Sequence, residues 1–392
     1  MVNMIRSKYA FIGAGIIAVL FLGSLAYAED VIKIGSIYSI SGPAAHLSNM
    51  ALKGQQLAVE DINKAGGVSV GGKKYKIEAI NYDDRCSAKD AVSIAERLIN
   101  NDKVQVLISP TCSHANLAVM ELNEKHKIPM ITTLSASMRV TSMGHKYIFR
   151  LCPQAAMQAE TVSRFANDDL RLKKAAYIGR NDAWGKSVAE QLKRRTEARG
   201  GSMVATEFYD LGSKDFYSQL TKIKMANPDF IFPVLLAEDA LLVKQAREIG
   251  IKCPIISCDE LVNKKAVEIG GPALNGVYTY YYGGPTKPES LIYDKIFEKK
   301  YGVIGTNHSK LGYDGIMLVA DAIKRAGSVD SVKIRDALAD TKSFKGISGN
   351  YSFVASGQAI SEMWIVQLQN GQAKFLKQIP IANNPPVPID IE

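Results

Sequence analysis

The chain has 392 residues, with 48 Lys or Arg against 39 Asp or Glu and a formal net charge of +9. That length is too great for one ordinary hydrophobic core, so two domains are expected. The basic balance does not point to nucleic acid, because the cationic residues are interleaved with acidic ones along amphipathic stretches such as Glu190-Gln-Leu-Lys-Arg-Arg195, the pattern of a solvated face.

Arg6 and Lys8 precede an uncharged run from Ala10 to Leu25, and Ala26-Tyr27-Ala28 has the small-x-small form of a cleavage site. This three-part layout predicts a secretory signal peptide over residues 1–28 and an exported mature chain. The apolar run, about 16 residues, is short for a hydrocarbon core of about 30 Å. No later stretch approaches that length. Cleavage removes two positive charges and leaves +7 on 364 residues.

From Val31 the pattern alternates strand and helix. Val31–Tyr38 reads as a strand, and His46–Lys64 as a helix stopped by Gly66-Gly67. Tyr75–Tyr82 is a strand and Ser87–Asn101 a helix capped by Ser87. Val104–Ile108, an apolar run closed by Ser-Pro, fits a strand buried on both faces. Ser113–Lys125 is a helix, and Pro129–Thr132 and Tyr147–Leu151 are strands. A second series follows. Helices are expected over Ala155–Asp168, Trp184–Arg199, Asp215–Met225 and Glu238–Ile249. Strands are expected over Lys174–Gly179, Met203–Tyr209, Phe230–Leu236, Pro254–Ser257 and Gly276–Tyr281. Three more helices (Pro288–Tyr301, Asn307–Arg325, Ser331–Thr341) lead to late strands at Asn350–Val354, Glu362–Gln369 and Ala373–Gln378, then an extended tail of about a dozen residues rich in Pro and Asn. Such alternation predicts an α/β protein with parallel sheets and right-handed crossovers, in two lobes that share the chain more than once.

The five cysteines, Cys86, Cys112, Cys152, Cys253 and Cys258, all lie beyond the signal segment. Export permits disulfides, and the odd count leaves at least one thiol unpaired or paired between chains. Cys86 and Cys112 follow strands at the same end of one sheet, which allows a bridge. Cys253 and Cys258 flank a short strand that would hold them roughly 16 Å apart, too far to pair. No cysteine spacing suggests zinc, and no histidine has a partner at ligand spacing.

Gly67 to Lys73 has the spacing of a phosphate loop. However, Lys74 replaces its Ser or Thr, and the stretch leads from helix to strand rather than strand to helix, so it reads as a glycine-rich turn. The informative turns are Ser109-Pro-Thr-Cys-Ser113 and Thr132-Thr-Leu-Ser-Ala-Ser137, where strands end and helices begin. Their N–H groups and the hydroxyls of Ser113, Ser135 and Ser137 can hold a carboxylate beyond the strand ends, or Ser113 can simply cap its helix. In the second series the turns Arg180-Asn-Asp-Ala-Trp184-Gly, Ala237-Glu238 and Cys258-Asp259-Glu260 occupy equivalent places. Trp184 can be an apolar wall or a core side chain. Asp259 can meet a ligand cation or cap the next helix. No base accompanies Ser113, so these turns read as gripping a small molecule rather than transforming it.

The run Ile32–Gly67, with Ser41-Gly42-Pro43, Gly54, Asp61-Ile62-Asn63 and Gly66-Gly67, resembles the opening of type 1 periplasmic solute-binding proteins of the leucine/isoleucine/valine-binding branch. Asp83-Asp84-Arg85-Cys86, Thr111-Cys112-Ser113, Asp182-Ala-Trp-Gly185, Asp215-Phe216 and Gly312-Tyr313-Asp314 carry the resemblance along the mature chain. It implies two doubly wound lobes (29–150 plus 282–344, and 151–281 plus 345–392) joined by a three-strand hinge around a ligand cleft. It implies a Cys86–Cys112 disulfide, a carboxylate held by Ser113 and the Ser135-Ala136-Ser137 turn, Asp259 at the ammonium of an amino acid, and Trp184 and Tyr313 lining the pocket. The chain departs from the pattern at Leu47, Ser137, Trp184 and the Leu235–Glu238 turn, where the family's binders of amino acids carry other residues. The implied protein is a periplasmic monomer without cofactor, not an enzyme. Its partners are a small carboxylate-bearing solute, such as an amino acid or an aromatic or aliphatic acid, and the permease subunits of an ABC importer. A sensor presenting the solute to a signalling receptor fits the same residues.

Overall fold

The computed structural model describes residues 30–236, 239–284, 287–360 and 362–381. The expected signal segment, the Ala237-Glu238 turn and the C-terminal tail lie outside them. The first series runs β1 (Val31–Tyr38), α1 (Ala45–Lys64), β2 (Val68–Val70), β3 (Lys73–Asp83), α2 (Ala88–Asn100), β4 (Val106–Ile108), α3 (Ser113–His126), β5 (Met130–Thr132), α4 (Arg139–Ser142) and β6 (Ile148–Arg150). Its sheet has the order β2-β3-β1-β4-β5-β6, parallel except for β2.

Side-chain alternation along β1 explains the layering. Ile32, Ile34 and Tyr38 pack with Ala51 and Ala58 of α1. Ile37 points the other way, among Ala91, Ala95 and Leu98 of α2 and Val119 of α3. Ser87 caps α2 as expected, accepting the Asp90 N–H at 3.3 Å. The strand β2 falls inside the stretch that reads as a glycine turn from sequence. The turn itself is only Gly71-Gly72, both left-handed (φ 57° and 85°), which closes a hairpin onto β3.

The second series runs α5 (Ala155–Ser163), continued to Asp169 with wider π turns, then β7 (Lys174–Arg180), α6 (Ala183–Ala198), β8 (Ser202–Tyr209), α7 (Tyr217–Met225), β9 (Phe230–Val234), α8 (Leu241–Glu248), β10 (Ile256–Ser257), α9 (Lys264–Gly270) and β11 (Tyr278–Tyr282). The remaining elements are α10 (Pro288–Tyr301), α11 (Asn307–Ala326), α12 (Ser331–Ala339), β12 (Phe344–Lys345), β13 (Asn350–Tyr351), β14 (Met363–Gln369) and β15 (Gln372–Ile379). The parallel strands β8-β7-β9 continue through a bridge between Ile231 and Ile255 into β10-β11-β14-β15, where the last two strands run antiparallel. The expected strand Asn350–Val354 shortens to two residues paired with β12.

Helix α11 returns to the first series and packs on α1. A Cβ at Gly54 would lie 1.8 Å from the Ser309 carbonyl oxygen, and one at Gly312 would lie 2.0 Å from that of Ala51. The two backbones therefore touch, and only glycine fits at either position. Three chain crossings between the sheets meet at one small cavity lined by Leu151, Gly283 and Ser348. Asp314 of α11 pins the third crossing, accepting the Ile347 N–H at 2.7 Å, the Ser348 N–H at 2.8 Å and the Tyr351 hydroxyl at 2.9 Å.

Helices α5 and α6 are locked by charge. The fully buried Glu160 carboxylate accepts from Arg199 at 2.6 Å and lies 3.4 Å from the equally buried Arg195. Glu160→Gln removes the buried counter-charge that these cations share, leaving Arg199 its 3.2 Å contact with Asp168. It is expected to cost about 3–5 kcal/mol of unfolding free energy, read as a lowered urea midpoint.

Candidate ligand-binding site

One cavity lies at the carboxyl ends of strands from both sheets, with a volume of about 50 Å³. A single water needs roughly 10–15 Å³ by the same measure. Most of one wall follows strand ends: Leu47 at the start of α1 after β1, Thr111–Ser113 beyond β4, Leu134 and Ala136 beyond β5, and Cys152 beyond β6. Opposite them stand Arg180–Trp184 beyond β7, Leu236 beyond β9, Asp259-Glu260 beyond β10, and Tyr282 at the end of β11. The two series diverge at β1/β4 and at β7/β9, where open parallel sheets leave a crevice for ligands.

At one end Ser113 begins α3. Its N-cap is Cys112, whose side chain makes no capping bond because it is held in a disulfide with Cys86. The first-turn N–H groups of a helix have no intrahelical partners and carry the positive end of its dipole. This end suits an anion. The Ser113 hydroxyl accepts the Ser137 N–H at 3.2 Å.

At the other end Asp259 and Glu260 are buried, 6% and 4% exposed. The first residues of α11 reach them. Asn307 Nδ2 donates to Asp259 Oδ2 at 2.6 Å. His308 Nε2 lies 3.2 Å from the same oxygen and 3.5 Å from Glu260 Oε1. These carboxylates and the imidazole come within 4.8 Å of one another, spacing that suits a cation. Here the imidazole's own N–H takes that place. Burial opposes charge on His308, but the field of Glu260 and the bond to Asp259 outweigh it and raise the imidazole above its ordinary value.

Trp184 forms a side wall. Its Nε1 donates to Gln158 Oε1 at 3.0 Å, and the Arg180 guanidinium lies 5.7 Å from its ring centre. Arg180 is paired with Asp182, which also caps α6 by accepting the Gly185 N–H at 2.9 Å.

Of the residues singled out from sequence, Ser113, Ala136, Trp184 and Asp259 line this cavity, and the Cys86–Cys112 bridge is present with Cα atoms 5.5 Å apart. Cys152, Cys253 and Cys258 are free thiols. Ser135 does not line the cavity. Its hydroxyl donates to the Pro110 carbonyl at 2.7 Å and stitches the two turns together. Ser137 is fully buried behind the wall with its hydroxyl unbonded, and its carbonyl accepts from Arg150 at 2.6 Å. Arg150 is itself fully enclosed, its guanidinium pushed down to about 10 by burial, and it also donates to Thr141 and Gln154. Tyr313 is not brought to the cavity. Its hydroxyl donates to Asp61 at 3.0 Å and its ring meets Tyr293 edge-on, because that face of α11 packs on α1. Glu260 and Arg180 line the cavity from turns the sequence places at strand ends, whereas His308 lines it without having been singled out. His308 corrects the expectation that no histidine has a partner at ligand spacing, since it meets two carboxylates contributed from far along the chain.

Among the described lining residues, neither Ser113 nor Cys152 makes a hydrogen bond to an imidazole or carboxylate, and burial pushes the Cys152 thiol up to about 12. Two facing α/β sheets with a cavity between their strand ends form a place for a small solute. A family model described as periplasmic binding protein matches residues 31–373. A leucine-, isoleucine-, valine-, threonine- and alanine-binding protein of Pseudomonas aeruginosa is 28% identical over 342 residues, 87% of this chain and 90% of the relative. A solved leucine-binding protein of Thermotoga maritima superposes with a TM-score of 0.83 at 28% identity, covering 90% of this chain and 100% of that one. A branched-chain amino acid transporter substrate-binding protein of Streptococcus pneumoniae, solved in complex with isoleucine, gives 0.81 at 28% identity over 89% of this chain and 99% of that one. The chain belongs to the periplasmic binding protein family, and it is a solute-binding protein, not an enzyme.

No helix among the described residues is long and apolar enough to cross a membrane.

Proposed function

We propose that the protein is the monomeric, exported periplasmic component of an ABC importer that captures an amino acid with an apolar side chain and delivers it to membrane permease subunits. One observation carries this reading. Opposite recognition chemistries stand at the two ends of a single cavity, with an uncapped helix N-terminus and Ser113 at one end and buried Asp259 and Glu260 at the other. Leu47, Leu134, Leu236 and Trp184 line the same cavity. A simple carboxylic acid would leave the two buried carboxylates with only the His308 imidazole set against them, short of a second cation. An α-ammonium supplies it. The named amino-acid specificities of the relatives from Pseudomonas aeruginosa and Thermotoga maritima support the same choice.

In this reading Ser113, Ala136, Trp184 and Asp259 touch the solute. Ser135 and Ser137 hold the turn that positions Ser113, and Tyr313 belongs to the helix seam. The lobes are residues 29–150 with 282–344, and 151–281 with 345–392. They close as rigid bodies about the three crossings, and the solute favours closure by contacting both. Calorimetry of the purified protein with L-leucine and a panel of apolar amino acids tests the function. Absence of binding to all of them would remove it. Within that test, Ser113→Ala is expected to weaken binding by about 1–3 kcal/mol, the loss of a charge-assisted contact.

A further inference from the structure

We propose that His308 is a specificity-determining residue: its imidazolium competes with the solute's ammonium for the Asp259–Glu260 pair, so capture of an amine-bearing solute is linked to proton release. The inference rests on the amino-acid reading above and concerns the same cavity.

The geometry is that of a site already holding a cation. His308 Nε2 sits 3.2 Å from Asp259 Oδ2 and 3.5 Å from Glu260 Oε1, with the imidazole 7% exposed. The contact is made across the cavity's depth. His308 starts α11, which is packed on α1, whereas the two carboxylates follow β10 of the other sheet. Asn307 adds a neutral donor to Asp259 and fixes the helix end there. An ammonium engaging these oxygens therefore arrives beside a like charge.

The other titratable groups facing His308 are Tyr282 of β11, whose ring centre is 6.2 Å away, Cys152, and the Arg180–Asp182 pair across the cavity. Burial holds the Tyr282 hydroxyl and the Cys152 thiol in their neutral forms, and Arg180 is compensated by Asp182. That leaves the imidazole as the group whose charge changes near neutral pH.

The sign follows from linkage. In the empty protein the two carboxylates hold the imidazolium above its ordinary value. A bound ammonium lowers that value by repulsion. Between the bound and the empty values the complex carries fewer protons, so affinity rises with pH by up to about tenfold per pH unit. Above the empty value it levels off. An acid of the same shape without the amine brings no like charge to the cluster and should not follow this rise.

Calorimetry with L-leucine from about pH 6 to about pH 8.5, in phosphate and in Tris, reads both affinity and released protons. The expected result is an affinity that climbs and then flattens, with a binding heat that differs between buffers. 4-Methylpentanoate, the amine-free analogue, should lack the climb. His308→Gln should flatten the leucine curve. Glu260→Gln, which removes one carboxylate holding the imidazolium, should move the climb to lower pH. Leucine bound with unchanged affinity across the range, and with equal heats in both buffers, would overturn the role of His308 while leaving the amino-acid reading standing. If 4-methylpentanoate binds and no amino acid does, or if nothing binds, the reading itself is wrong and this inference goes with it.

Discussion

Replacing Asp259 by alanine is expected to lower affinity for an amine-bearing solute by about 2–5 kcal/mol, or roughly 30- to 4,000-fold. The carboxylate is 6% exposed and accepts from Asn307 and His308 on a single oxygen. Truncation takes away the solute's counter-charge and also leaves Asn307 and the imidazole short of an acceptor in a site with little water to replace it. Asp259→Asn keeps the shape and should fall at the lower end of that range. L-Leucine and 4-methylpentanoate, titrated side by side, separate the two parts of the loss. The amine-bearing compound should lose most and the simple acid little. Equal losses for both would mean that Asp259 acts by holding the wall together rather than by meeting an ammonium.

Removing the disulfide, as Cys86→Ser with Cys112→Ser, should lower stability by about 3–4 kcal/mol, the value expected for closing a loop of this length. The bridge spans a sequence separation of 26 and anchors the start of α3 to the turn after β3. Urea unfolding of the oxidised, reduced and doubly substituted proteins measures the effect. Reduction should bring the native protein to the midpoint of the variant. Solute affinity should fall as well, since Cys112 is the residue from which the Ser113 grip is suspended. A variant with unchanged midpoint would mean that the turn is held fully by other contacts, such as the 2.7 Å bond between Ser48 and Thr111.

Much of the architecture was legible because its signals are local. Alternating apolar runs, glycine stops and the Ser87 cap mark elements one after another, and the hydroxyl-bearing turns fall at strand ends by construction. Elements with little local signal were lost. The strand β2 has three residues between glycine pairs, and α9 carries no apolar stripe long enough to declare itself. The lining of the cavity was legible where the chain places a residue just beyond a strand end, as for Ser113, Trp184 and Asp259. It was not legible where packing decides. His308 stands 48 residues beyond Glu260, and no spacing rule links them. Tyr313 was misplaced for the complementary reason: its neighbour Gly312 presses onto α1, which turns the tyrosine toward Asp61 and Tyr293 instead of the cleft.

The glycine contact between α1 and α11 has a consequence for the breadth of recognition. With backbone against backbone at Gly54 and Gly312, neither helix can slide or tilt without the other. Leu47 on α1 and His308 on α11 consequently behave as one inflexible jaw. Accommodation of larger or smaller solutes falls to the opposite jaw, where Trp184 in the first turn of α6 and Leu236 beyond β9 line the cavity. Selection for a new solute should therefore collect its substitutions on one side of the cavity and leave the glycine-joined side as it is.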